Sequence, residues 1–124
     1  MSQIPGLYIL ENDHGRGVYT AIDIPEGSLI EICPVIIISK VELPIIHKTT
    51  LHDYYFLWGP NLDQAAIVLG YGSLYNHTVE SNADFILDLE DKTISIVAIE
   101  DISAGTEIRI NYHGEQGDAR KLWF

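Results

Sequence analysis

The sequence is poor in basic residues, cysteine and long apolar runs, and each shortage excludes a class of protein. Only 7 Lys and Arg stand against 18 Asp and Glu in 124 residues, a formal charge of −11. A binder of nucleic-acid phosphates needs clustered Lys and Arg, so direct nucleic-acid binding is not expected. The balance suits a cationic partner, although surface acid also serves plain solubility. A single cysteine, Cys33, excludes an internal disulfide framework and a Cys-rich zinc site. Beside Pro34 in an apolar run, it reads as a buried small hydrophobe. The histidines show no His-x-x-x-His spacing, so no metal is placed. No apolar run approaches the ~20 residues of a membrane helix. Met1-Ser2-Gln3-Ile4-Pro5 lacks the basic and apolar regions of a signal peptide, so an intracellular protein is expected. A Gly-x-Ser-x-Gly elbow and a Cys/His pair are both missing, which leaves nucleophilic catalysis without a motif.

What is present is β-branched. Hydrophobic residues make up 47% and charged residues 20%, which places the chain among folded rather than disordered proteins. The length fits one domain, 1–124, that buries roughly two-thirds of its unfolded surface. Helical periodicity is weak, and the pattern predicts a mainly β (α+β with little helix) protein. The expected strands are Leu7–Leu10, Gly17–Ala21, Leu29–Ile32, Val35–Ser39, Ala83–Leu89, Thr93–Ala98 and Glu107–Ile110. Leu89-Glu90-Asp91-Lys92 reads as a hairpin turn, with charges at the tip and alternating apolar residues on both arms. The stretch from Lys40 to Thr50, with Pro44, reads as a surface excursion with room for a short helix. The aromatic run Asp53-Tyr54-Tyr55-Phe56-Leu57-Trp58 fits strand or helix, and most of it fits the core.

A short internal repeat stands out. Asp23-Ile24-Pro25-Glu26-Gly27-Ser28-Leu29-Ile30-Glu31-Ile32 matches Asp101-Ile102-Ser103-Ala104-Gly105-Thr106-Glu107-Ile108-Arg109-Ile110 at Asp, Ile, Gly, Ile and Ile. Each copy predicts a turn whose Gly takes φ > 0 and feeds an alternating strand, so two similar corners of one β domain are expected.

Three stretches could carry chemistry. Gly15-Arg16-Gly17 leads into Val18-Tyr19-Thr20-Ala21, which continues as β, so a phosphate cradle at a helix N-terminus fails on context. The glycines serve a tight turn or let a ligand lie flush against the backbone. Gly70-Tyr71-Gly72-Ser73-Leu74-Tyr75-Asn76-His77 ends in an Asn-His pair, with Asn82 further on. An Asn amide offers donors and an acceptor, which suits a zwitterionic amino-acid group. Tyr112 ends the strand of the second repeat copy; taken alone, it reads as a core edge whose hydroxyl reaches water.

Read in order, Gly-x-Gly-Val-Tyr, Ala-x-x-Ile-x-x-Gly, Asn-His…Asn and Ile-x-x-Gly-x-Glu-Ile-x-x-x-Tyr resemble the SET-domain protein-lysine methyltransferases, from about Leu7 to Tyr112. The chain looks most similar to minimal SET-only proteins of viruses and bacteria, without Cys-rich pre-SET or post-SET modules. The resemblance implies a β-clip fold of small twisted sheets. It also implies that the C-terminal segment threads, knot-like, through a loop near Asn76-His77. It implies S-adenosyl-L-methionine as cofactor and methyl transfer to the side-chain amine of lysine. Carried over by position, Gly15, Arg16, Gly17 and Val18 form a backbone wall for the cofactor. Asn76 holds its amino-acid moiety, the His77 backbone meets its adenine, and Trp123 belongs to an aromatic lid. Tyr112 is similar to the family's active-site tyrosine, and Asp53-Tyr54 resembles the acidic-aromatic pair of the lysine channel. The chain departs from the family pattern at Thr78, Ser81 and Asn111. The implied partner is a lysine-rich basic protein or tail, histone-like or ribosomal. A homodimer would complete the substrate groove, and the compartment is cytoplasmic, or nuclear in a eukaryote. The alternative is a non-enzymatic β-clip binding domain (antifreeze-like or a degenerate SET relative). The antifreeze-like reading explains the repeat but leaves Asn76-His77 and Tyr112 without a role.

Overall fold

A computed structural model describes residues 3–13 and 15–112. Nine strands follow in order: β1 Leu7–Asn12, β2 Gly15–Thr20, β3 Leu29–Ile38, β4 Tyr55–Trp58, β5 Gln64–Val68, β6 Asn76–His77, β7 Ala83–Asp88, β8 Thr93–Ala98 and β9 Glu107–Ile110. The helical content is one turn, α1 Leu43–Ile46, and 3₁₀ turns at Thr50–Asp53 and Gly72–Leu74. The strands form a path β1-β2-β9-β7-β8-β3-β5-β4, and β6 pairs β9 off that path. The fold is mainly β, as the patterning predicts. No helix among the described residues is long and apolar enough to cross a membrane.

Alternation builds the core. Ile94, Ile96 and Ala98 of β8 point inward, while Thr93, Ser95 and Val97 take the other face. They pack with Val18, Ile30, Phe56, Trp58, Ile108 and Ile110 into one buried cluster. Cys33 is a buried free thiol whose pKa burial pushes upward, consistent with its reading as a small hydrophobe.

The paired repeats face each other. Ile24 and Ile102 exchange N–H to carbonyl bonds of 2.8 Å in both directions. Asp23 accepts from the Ala104 N–H at 2.9 Å, and Asp101 accepts from the Glu26 N–H at 2.8 Å. Each aspartate therefore caps the turn of the other copy, and Gly27 and Gly105 both take positive φ (+85° and +87°) to make those turns.

The sequence pattern suggested a break at Cys33-Pro34, where the structure has one ten-residue strand. Leu29 to Pro34 pair with β8, and Val35 to Ile38 pair with β5. Proline has no N–H to donate, so it sits where one ladder ends and the next begins. Two further strands escaped prediction. β5 contains Ala65 and Ala66, poor strand formers that are held between β3 and β4. β6 is two residues long and exists through its parallel pairing with β9. The aromatic run resolves into a 3₁₀ turn ending at Asp53 and strand β4, with Tyr55, Phe56 and Trp58 buried and Tyr54 exposed. The excursion carries α1, with Pro44 in its first turn. The C-terminal threading and the Trp123 lid lie outside the described residues.

Candidate active site

The β1–β2 hairpin brings Gly15 and Arg16 to the rim of a cavity of about 230 Å³. Its remaining lining comes from Asp53, Tyr54, Ser73, Leu74, Asn76 and Tyr112. Six of the residues singled out in the sequence thus converge from four separate stretches of chain.

Asn76 is fixed from behind. Its Nδ2 donates to the Arg16 carbonyl at 3.1 Å and to Glu107 Oε2 at 2.7 Å. Both amide protons are therefore committed, and Oδ1 is the atom that Asn76 has left for a ligand. The zwitterion-binding role expected of both ends of the amide narrows to that of an acceptor. Glu107, buried at the start of β9, is the hub. Besides Asn76 it accepts from Arg109 Nε at 2.8 Å and from Asn12 Nδ2 at 3.3 Å. Sequence reasoning missed this residue as a functional one, although it occupies the Glu of the Gly-x-Glu-Ile motif. Gly17 explains why: a Cβ there would overlap Glu107 Oε2, so the second glycine serves the carboxylate rather than the cavity. Val18 is likewise fully buried in the core and does not line the cavity.

Tyr112 closes the opposite side. Its hydroxyl donates to the Tyr75 carbonyl at 2.7 Å, and its N–H donates to His77 Nδ1 at 3.0 Å. Since Nδ1 accepts, a neutral His77 carries its proton on Nε2. The Tyr112 ring lies 5.1 Å from that of His77 and 6.3 Å from that of Phe56. Burial pushes the Tyr112 hydroxyl up to about 12, and Tyr54, Asp53 and Glu107 push in the same direction. At neutral pH it is a protonated donor to the Tyr75 carbonyl.

Asn82 braces β9 from outside the cavity, donating to the Glu107 carbonyl at 3.0 Å and accepting from the Arg109 N–H at 2.9 Å. Ser73 and Leu74 fall within the Gly70 to His77 stretch and, without a role assigned from sequence, also line the cavity. Ser73 Oγ donates to the Val68 carbonyl at 3.0 Å, which folds the 3₁₀ turn onto β5. Asp53 meets His52 Nδ1 at 2.8 Å and lies, exposed, at the mouth beside Tyr54. Trp123 falls outside the described residues.

These features define a small β protein with an Asn-His and tyrosine cavity, and comparison with known proteins bears on them directly. Residues 15–113 match the SET domain family. The chain is 33% identical over 111 residues to a Schizosaccharomyces pombe histone-lysine N-methyltransferase, H3 lysine-37 specific, covering 89% of this chain and 70% of the relative. It superposes with a TM-score of 0.69 on the solved structure of a candidate histone methyltransferase of Plasmodium falciparum, at 29% identity and covering 88% of this chain and 98% of that one. It also superposes on a chain of the ctPRC2 complex with a TM-score of 0.72. That match, at 22% identity over 90% of this chain and 15% of that one, speaks to the fold alone. The chain belongs to the SET-domain family and is a protein-lysine methyltransferase.

Proposed function

We propose that the cavity binds the methyl donor S-adenosyl-L-methionine along Gly15-Arg16 and Asn76, and admits a substrate lysine past Asp53 and Tyr54 to Tyr112. One observation carries this reading. The Tyr112 hydroxyl, bound to the Tyr75 carbonyl, and the amide of Asn76, bound to Arg16 and Glu107, line the same cavity. The residues fit the donor chemically. The acceptor Oδ1 of Asn76 suits an ammonium, and Gly15, at φ +97° with nothing within 4 Å of a built Cβ, leaves its wall open. The cavity is below the ~300 Å³ of small ligand pockets, so it fits the amino-acid end and the sulfonium rather than the whole molecule.

When bound, S-adenosylmethionine supplies the methyl group for an in-line transfer to the lysine amine. The chain contributes orientation and charge placement, not a nucleophile. A lysine amine with a reference pKa of about 10.4 must first lose a proton. Desolvation between aromatic walls favours the neutral amine. Tyr112 can accept an N–H from that amine while donating to Tyr75, which aims the nitrogen lone pair away from the hydroxyl. Tyr54 offers a π face to a cationic donor and to the alkylated ammonium product. Asp53 at the mouth and the overall −11 attract the basic substrate before it enters.

The substrate class that this reading favours is a histone-like tail, since the S. pombe relative is a histone-lysine methyltransferase. A nuclear site of action and a homodimer that completes the groove belong to the same reading. The test is calorimetric titration with S-adenosylmethionine, followed by labelled methyl transfer to core histones by wild type and Tyr112→Phe. Wild type binds and transfers, whereas Tyr112→Phe binds and transfers about a hundred-fold more slowly or worse. A wild type that fails to bind the cofactor sinks the proposal.

A further inference from the structure

Glu31 is buried, 3% exposed, near the start of β3, and nothing in the proposed chemistry uses it. Among the described residues its hydrogen-bond partners are all uncharged. Oε1 accepts from the Tyr75 hydroxyl at 2.7 Å; Oε2 accepts from the Tyr71 N–H at 3.1 Å and from Gln3 Nε2 at 3.0 Å. Keeping a carboxylate in the interior with only neutral donors is costly unless those donors are well placed. Two of the three come from one loop, Gly70 to Tyr75. That loop is shaped to receive the carboxylate. Gly70 holds φ +64°, and a Cβ there would overlap Glu31 Oε2. Gly72 has no room for a Cβ against Val68 and Cys33. The loop is therefore wrapped on Glu31 at both ends, and its last carbonyl, that of Tyr75, is the acceptor that holds the Tyr112 hydroxyl at 2.7 Å.

We infer that Glu31 is a positioning residue for methyl transfer: it anchors the Tyr75 side chain so that the Tyr75 carbonyl aims the Tyr112 hydroxyl into the cavity. The inference rests on Tyr112 being the active-site tyrosine. The path is short: one hydrogen bond from the Tyr75 phenol to the carboxylate, the covalent frame of Tyr75 itself, and one hydrogen bond from the Tyr112 phenol to the Tyr75 carbonyl. Asn76 is held instead by Arg16 and Glu107. Weakening the Glu31 anchor therefore disturbs Tyr112 while sparing the cofactor side of the cavity. Misplacement of a reacting group by about 1 Å costs on the order of a hundred-fold in rate, so even a small loop shift is visible in turnover.

Tyr75→Phe is the primary test, because it removes the hydroxyl and keeps the ring and the carbonyl. Glu31→Gln is the second, since its amide leaves one acceptor where two oxygens served. Each variant is compared with wild type for kcat on core histones, for S-adenosylmethionine Kd by calorimetry, and again in a Tyr112→Phe background. The expected result is a kcat about ten-fold lower or worse, with cofactor Kd within about three-fold and little further loss in the Tyr112→Phe background. A Tyr75→Phe enzyme with kcat within about two-fold of wild type, when Tyr112→Phe is strongly slowed, overturns the inference but not the site. So does an equal loss in both backgrounds. Full activity in Tyr112→Phe overturns the site reading itself. A crystal structure of Tyr75→Phe adds a readout independent of turnover: an unmoved Tyr112 hydroxyl, still bonded to the carbonyl of residue 75, refutes the anchoring role. If Glu31→Gln does not fold, Tyr75→Phe decides alone.

Discussion

Replacing Gly17 by Ala adds one carbon where the site has least room for it. Gly17 is buried and is not among the positive-φ glycines, so Ala costs little in backbone conformation and its effect is steric. The new Cβ would overlap Glu107 Oε2 and stand 3.0 Å from Asn76 Nδ2. The end of a glutamate can usually swing aside, but this one is pinned by Asn76 at 2.7 Å, Arg109 at 2.8 Å and Asn12 at 3.3 Å. The atom displaced, Oε2, is the one that Asn76 binds, so the Asn76 bond breaks first. A hydrogen bond to a charged group contributes about 1.5–3 kcal/mol. If that much of the Asn76 orientation is lost, cofactor affinity falls roughly ten- to hundred-fold at 1.4 kcal/mol per decade. Overpacking also lowers stability by about 1–3 kcal/mol. Calorimetric titration with S-adenosylmethionine reads the first effect, and urea unfolding reads the second. A Gly17→Ala protein that binds the cofactor within about two-fold of wild type refutes the claim that Glu107 presets Asn76 for the ligand.

Other outcomes follow from the same geometry. Tyr112→Phe lowers methyl transfer about a hundred-fold or more by removing a positioned hydroxyl, with cofactor Kd little changed; retention of turnover argues against its role. The raised Tyr112 pKa, about 12 against the usual 10, means the folded state holds that proton more tightly than the unfolded one. Its stabilising contribution is complete below pH 10 and is lost as pH rises through 12, so the alkaline fall in melting temperature is shallower in Tyr112→Phe. Across neutral pH the hydroxyl stays protonated, and a rate that climbs with pH reports the substrate amine; a rate that falls above pH 7 contradicts this. Activity toward a lysine-rich peptide drops as salt rises, because the Debye length shrinks from about 10 Å at ~0.1 M. A flat rate with cofactor saturating removes charge steering. Asp23→Ala uncaps the Ala104 turn, costing about 0.5–1.5 kcal/mol and about 2–8 °C of melting temperature, with kcat intact; an unchanged melting curve shows the cap to be idle.

What was legible in the sequence was what local chemistry dictates. The hairpin at Leu89-Glu90-Asp91-Lys92 is where expected, because its alternation and its turn lie within a few residues of each other. The repeat revealed two similar corners, but not that they cap each other, since the bond from Asp23 to Ala104 joins positions that only the fold brings together. The same limit governs the site. Asn76 and Tyr112 stand out as residue types in motifs, whereas Glu107 and Glu31 look like ordinary acids on alternating strands. Their importance comes from being buried against segments that are far away in sequence, strand β2 at Gly17 for one and the loop at Gly70 for the other. In both cases a glycine marks the place, and the physical reason is shared. A carboxylate that must accept from backbone or amide donors at close range leaves no volume for a Cβ on the strand or loop that approaches it. The glycines of Gly-Arg-Gly and Gly-Tyr-Gly-Ser-Leu-Tyr therefore carry information about acids elsewhere in the chain. Gly17 gives Glu107 room to hold Asn76 on the cofactor side, and Gly70 gives Glu31 room to hold Tyr75 on the tyrosine side. The two halves of the cavity are set by two separate buried carboxylates, which is why a change at one should leave the other half standing.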